Sequence, residues 1–322
     1  MLLFILRRLA QMVPVLLAIA TLNFALLHMA PGDAADIVAG QSGHATPELV
    51  AQLRNEFGLD QPLLTQYAIY LGKLVRLDLG YSFVYQTPVV NLIAERMPAT
   101  LLLMITSLAI AIGVGVALGV AAARRRGSWI DNVVSVGALV VYATPVFWLG
   151  LMLIVFFSIT LGILPSGGMV DIRAGYTGLA YAWDMAKHLV LPVLTMSLFY
   201  VAIYTRMMRA SMLEVYSLDF ITTARAKGVS EGAVAWRHAA RNALLPVVTL
   251  AGLQFGHLLG GSVLVETVFG WPGLGRLVFD SLMQRDINLL LGILFISSVV
   301  VVLANLVADL AYGWLDPRIV HR

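Results

Sequence analysis

Six stretches of the chain, near residues 9–30, 99–122, 133–161, 189–208, 245–266 and 289–312, stay predominantly apolar for the roughly 20 residues that a helix needs to cross a bilayer. In hydrocarbon each unsatisfied backbone group costs on the order of several kcal/mol, so stretches of this kind are read as helices. The pattern predicts an all-α polytopic membrane protein with six transmembrane helices. Arg7 and Arg8 precede the first stretch as they would in a secretory signal. The run is longer than the about 7–15 apolar residues of such a segment, and it is read as a retained span. An even number of spans places both termini on one side of the membrane.

The longest polar interval, residues 31–98, carries helix signals of its own. Thr46-Pro47-Glu48 supplies an N-cap, a proline at the first helical position and an acid favoured by the helix dipole, with Gly58 as the stop. A second start follows at Asp60-Gln61-Pro62, after which Leu63, Tyr67, Tyr70, Leu71, Leu74 and Leu77 recur at near-helical spacing. This second helix either lies on the membrane surface at the mouth of a pathway or is a plain packing helix. Within the spans, Gly252, Gly256 and Gly260 make two GxxxG steps, and Gly115 with Gly119 makes another. Small residues at that spacing let helix backbones approach closely, and packing inside one subunit is the expected role.

Composition agrees with lipid as the main solvent: 60% of residues are hydrophobic and 12% charged, with a mean hydropathy of +0.87. Soluble domains carry about a quarter charged residues. The net charge of +3 is unevenly spread. Basic residues gather at Arg7 and Arg8, at Arg124, Arg125 and Arg126, between Arg206 and Arg241, and at Arg318 and Arg322. The six-span topology puts all of these on one face, which the positive-inside bias makes cytoplasmic, so both termini are expected there. The bias sets orientation and gives little support to nucleic-acid binding. There is no cysteine for a disulfide or thiolate site, the six histidines lack ligand spacing, and no catalytic arrangement can be located from spacing. No catalytic residue and no metal site is predicted.

Between the fourth and fifth spans lies the longest cytoplasmic segment, residues 209–244, which reads as two short helices joined at a glycine. Ser217 or Asp219 caps the first, Arg225 and Lys227 suit its last turn, and Gly228 takes the left-handed conformation that ends it. Ser230 with Glu231 opens the second, and Pro246 follows as the chain returns to the bilayer.

The run from Asp219 through Thr222, Thr223, Ala224, Lys227 and Gly228, continuing to Leu245 and Pro246, resembles the coupling loop of ABC importer permeases, and more closely the oligopeptide, dipeptide and nickel permease family. Thr222 stands where the general pattern has an acid and Thr223 where it has an alanine; only Ala224 is kept. The resemblance runs the length of the chain. It includes Leu6-Arg7-Arg8-Leu9 through His28-Met29-Ala30-Pro31-Gly32-Asp33, Glu266-Thr267-Val268-Phe269-Gly270-Trp271-Pro272-Gly273-Leu274-Gly275, and Trp314-Leu315-Asp316-Pro317-Arg318. It implies a type I ABC-importer transmembrane domain over residues 1–322, with an extracytoplasmic segment 31–98 and the coupling loop 209–244. It further implies a heterodimer with a second permease, two cytoplasmic ATPase subunits and an extracytoplasmic substrate-binding protein, in the bacterial inner membrane. The chain itself lacks a G-x-x-x-x-G-K-[ST] phosphate cradle, so ATP and magnesium are expected in the ATPase partners, with no cofactor and no enzymatic activity here. Thr222, Thr223, Ala224, Lys227, Gly228, Val229, Leu245 and Pro246 are the expected coupling residues.

Ionisable and polar residues at membrane depth are candidates for a pathway or gate. Gln254 and His257 face either a polar pathway or an interhelical hydrogen bond. Tyr142, Thr144 and Pro145 interrupt the third span, where the proline either opens a carbonyl to the pathway or only kinks the helix. Glu266 and Trp271 begin the last extracytoplasmic loop, as a gate, a docking surface or, for Trp271, an interface anchor. Asp309 is read as a structural pairing or a solvated helix end. The expected cargo is a di- or oligopeptide. The alternatives are nickel chelates, glutathione or another small solute, or, from a different class, a secondary transporter driven by an ion gradient.

Overall fold

The computed structural model describes residues 2–29 and 60–315. Thr46-Pro47-Glu48, Gly58 and Asp316-Pro317-Arg318 lie outside the described residues, as does the side chain of Asp309. Apart from one two-residue hairpin, β1 (Tyr81–Ser82) paired antiparallel with β2 (Thr87–Pro88), the described elements are helical. Among the described residues, four helices are long and apolar enough to cross a membrane: α1 (Leu2–Met29), α3 (Val89–Arg124), α6 (Gly178–Val215) and α11 (Ile287–Leu315). Two bent pairs raise the number to six if each is one span. One is α4 (Trp129–Ala143) with α5 (Val146–Leu153) and the π-helical turn after it; the other leads through α9 (Ala240–Phe269).

The chain divides into two compact units. The first comprises residues 1–96 and 277–302. In it, α2 (Leu63–Val75) packs on α1, and Leu74 is buried in a cluster with Ala20 and Phe295. Tyr67 shares a hydrogen bond with Thr21 at 2.7 Å, and Phe24 meets the rings of Tyr67 and Tyr70. Residues at near-helical spacing therefore do what the packing alternative requires, while Leu63 at one end stays exposed. Leu77 falls beyond the helix at φ 57° and is also exposed.

The second unit comprises residues 97–276 and 303–322. Its core runs along α6, whose buried Tyr204 and Met208 press on α3. A Cβ on Gly115 would stand 2.7 Å from the Tyr204 Cβ, and one on Gly119 2.6 Å from the Met208 Cβ. That GxxxG step is internal packing, as expected, and Gly252 does the same against Ala308 at 2.5 Å. A Cβ on Gly260 would meet nothing within 4 Å.

The third span is not one kinked helix. Helix α4 stops at Ala143, α5 begins after Pro145, and the two run at 104° to each other. Proline offers no amide and disfavours helical backbone in the residue before it. Thr144 is accordingly extended, at φ −81° and ψ 129°, and its amide bonds to the Val141 carbonyl. Asp131, buried in the first turn of α4, holds Arg209 of α6 through both carboxylate oxygens, at 2.5 and 2.7 Å. The Gly127 amide donates to the same carboxylate at 3.0 Å.

Candidate functional site

Helix α6 continues through Val215, so the loop expected to begin at residue 209 begins later. Helix α7 (Asp219–Ala226) follows. Its N-cap is Leu218, with no side-chain cap; the Ser217 hydroxyl instead donates to Glu214, and Asp219 is already inside the helix. At the other end Gly228 has φ 75°, its amide bonds to Arg225, and the Val229 amide bonds to Ala224. This is the Schellman pattern, which brings the residues at its two hydrophobic positions together. Here those residues are Ala224 and Val229. Ala224 is buried in the core, and Val229 is half-buried against it.

The residues that do face outward at this elbow are Thr222, Thr223, Lys227 and Gly228, joined by the exposed aromatic rings of Phe220 and Trp236. Sequence reasoning singled out neither ring; an aromatic residue among polar ones in a cytoplasmic loop was the available signal. Beyond the glycine, the Ser230 hydroxyl accepts from the Ala233 amide and opens the single helical turn α8 (Glu231–Ala233). That turn runs through a π-helical stretch into α9. The elbow is therefore one short helix hinged to the foot of a span, not two separate short helices. Leu245, half-buried, and Pro246, exposed, lie inside α9.

A forked pair crosses the hinge: Arg225 donates to both carboxylate oxygens of Glu231, at 2.8 and 3.2 Å. The hydrogen bond it donates to this carboxylate is the main reason the Arg225 pKa lies above its ordinary value. Both groups are exposed, so the pair orients the elbow more than it stabilises the fold.

Three of the expected pathway residues come together deeper in the same unit. Tyr142, Gln254 and His257 line one open cleft of about 390 Å³ with Phe199, Tyr200 and Ile203 of α6. The Tyr142 and Phe199 rings stack, their centroids 5.4 Å apart. No hydrogen bond joins Gln254 or His257 to another described residue. Pro145 is not part of the lining; it caps α5, and its carbonyl accepts from Leu149.

Glu266 and Trp271 are elsewhere and are fully buried. The Glu266 carboxylate accepts from the Thr100 hydroxyl at 2.7 Å and the Arg276 amide at 2.9 Å. It thus sits at the start of helix α10 (Leu274–Met283), where amides without helical partners favour an anion. A Cβ on Gly273 would lie 2.4 Å from its oxygens. The Trp271 indole donates to the Ala99 carbonyl at 2.9 Å. Neither residue is a docking surface in this structure, and Trp271 is no interface anchor. Together they knot the end of α9 to the start of α10.

Comparison with known proteins bears on what this arrangement serves. The model of the family described as "binding-protein-dependent transport system inner membrane component" matches residues 115–321, and that of the N-terminal part of such components matches residues 1–104. A putative peptide transport system permease protein of Brucella abortus is 42% identical over 98% of both chains. The dipeptide transport system permease protein of Escherichia coli K12 is 41% identical over the full length of both. Among solved structures, one of the MetNI methionine ABC transporter in inward-facing conformations is similar with a TM-score of 0.57 and 19% identity, covering 70% of this chain and 97% of that one. This last likeness shows the fold.

Proposed function

Because the chain belongs to the family of binding-protein-dependent transport system inner membrane components, we propose that it pairs with a second, related permease to form the pathway of an ATP-driven importer of di- or oligopeptides. The full-length similarity to peptide permeases carries the assignment of cargo. The chain is a multi-pass inner-membrane subunit without ATPase activity of its own, and membership of this family implies ATPase and binding-protein partners. In the proposed assembly two cytoplasmic ATPase subunits bind ATP and magnesium, and both termini of this chain are cytoplasmic.

The elbow is the part through which the ATPases act. Nucleotide binding shifts the population of pathway conformations only if the elbow contacts the ATPase differently in two states. Its exposed face, Thr222, Thr223, Lys227 and Gly228, is the proposed contact, and its continuity with α9 carries the displacement to Gln254 and His257 on the cleft.

Reconstitution into liposomes with the partner permease, the ATPases and the binding protein tests this reading. Uptake of labelled dipeptide is expected to require ATP and every partner. Uptake by this chain alone on an ion gradient would replace the reading with a secondary transporter. Uptake of a nickel chelate or glutathione in place of the dipeptide would move the cargo within the family.

A further inference from the structure

Arg124, Arg125 and Arg126, where the chain leaves α3, line an open pocket of about 400 Å³. The elbow supplies much of the remaining lining: Tyr216 just after α6, Arg225 of α7 and Glu231 of α8. Arg124 reaches α8 itself, since a Cβ on Gly232 would lie 4.0 Å from its Nη2. Four guanidinium groups thus share the pocket with one carboxylate, a formal surplus of three positive charges.

Charges of one sign gathered in a small cavity repel one another, and an anion that enters relieves that cost. One of the cations is held in place from two sides. The Arg225 guanidinium lies over the Tyr216 ring, 5.6 Å from its centroid, and Glu231 takes two of its five N–H donors. Guanidiniums that arrive from two parts of the chain suit a phosphate, whose tetrahedral oxygens accept from more than one direction, better than a planar carboxylate.

The position of the pocket points to lipid. Ala123 and Leu213 line it as well, and they belong to the last turns of α3 and α6, two helices long enough to cross a bilayer. The charge bias makes this face cytoplasmic, where basic pockets between spanning helices take lipid headgroups. We propose that the pocket binds the phosphate of an anionic phospholipid of the inner leaflet, and that the bound headgroup braces the elbow against the basic turn after α3. The phosphate is the chemistry that such a lipid shares with a soluble phosphate ester. Binding stands on the pocket alone; its effect on transport rests on the reading of the elbow as the ATPase contact.

The complete permease–ATPase complex in neutral detergent is titrated with dihexanoyl phosphatidylglycerol, dihexanoyl phosphatidylcholine and glycerol 3-phosphate, and binding is read by native mass spectrometry. Wild type is expected to bind the phosphatidylglycerol about tenfold more tightly than the zwitterionic lipid, as two or three basic contacts allow. Arg125→Gln with Arg126→Gln is expected to erase that preference. Arg125→Lys with Arg126→Lys keeps the charge that sets topology and is expected to retain part of it. Arg7→Gln with Arg8→Gln removes the same charge outside the pocket and is expected to leave the preference intact. Equal binding of the two lipids by wild type, or the same loss in both glutamine pairs, would overturn the site. So would binding of no probe, which would give the arginines to carboxylates of a partner chain. Glycerol 3-phosphate binding as tightly as phosphatidylglycerol would keep the phosphate and overturn the lipid as its source. In proteoliposomes, phosphatidylglycerol is expected to raise wild-type dipeptide uptake per ATP hydrolysed about fivefold, and to leave the Arg125→Gln, Arg126→Gln pair unchanged. Binding without that rise overturns the brace. Absence of any ATP-driven dipeptide uptake sinks the importer reading and leaves the binding result standing.

Discussion

Gly228→Val is expected to lower dipeptide uptake per ATP hydrolysed by about tenfold or more, within the range of coupling free energies between sites, while the complex still assembles. The glycine has φ 75°, and a Cβ there would meet nothing within 4 Å. The constraint is therefore conformational. A β-branched residue in that region costs about 1–3 kcal/mol, and the strain is relieved by losing the two Schellman hydrogen bonds from Gly228 and Val229. Helix α7 would then turn relative to the foot of α9, and the exposed contact face with it. Asparagine tolerates left-handed backbone, so Gly228→Asn is expected to retain most of the coupling. Uptake and ATPase rates measured together in proteoliposomes check both variants. Equal loss in the two would point to a need for glycine's small size at the docking face, and full coupling in Gly228→Val would remove the hinge from the mechanism.

Glu266→Ala is expected to destabilise the subunit severely. It leaves the buried Thr100 hydroxyl and the part-buried Arg276 amide without their acceptor. Each such loss costs about 1–3 kcal/mol, and a total near 3 kcal/mol corresponds to a fall of roughly 5–10 °C in melting temperature. Glu266→Gln keeps one oxygen but turns an NH₂ toward a donor, so it is expected to fall between. Thermal melting of the solubilised complex, followed by size-exclusion chromatography, reads the effect. A variant that melts like wild type but transports poorly would return Glu266 to the role of a gate.

The spans were legible because lipid leaves the backbone one solution, and the apolar runs report it directly. The left-handed glycine at the elbow was legible for a similar reason: a glycine after a basic last turn has few other uses. Side-chain direction was not. Ala224 and Val229 matched the coupling motif, yet the Schellman turn that Gly228 makes folds both toward the core. Glu266 looked like a loop residue because its partner Thr100 lies 166 positions away in the chain. Asp131 and Arg209, 78 positions apart, carried no local signal of pairing. At Pro145 the hydrophobic period continues across the break, and only the extended backbone of Thr144 separates two helices from one bent one.

The chain contains no cysteine, so a single one placed at Lys227 reports on that position alone. Cross-linking from Lys227→Cys in inner-membrane vesicles, with and without ATP, asks whether the elbow touches the ATPase and whether the contact changes with nucleotide. The prediction is a cross-link to an ATPase subunit whose yield depends on ATP, with no such product from Ala224→Cys. A cysteine at 227 that is labelled from the outer side of the membrane, or that reaches no partner in the intact complex, would contradict it.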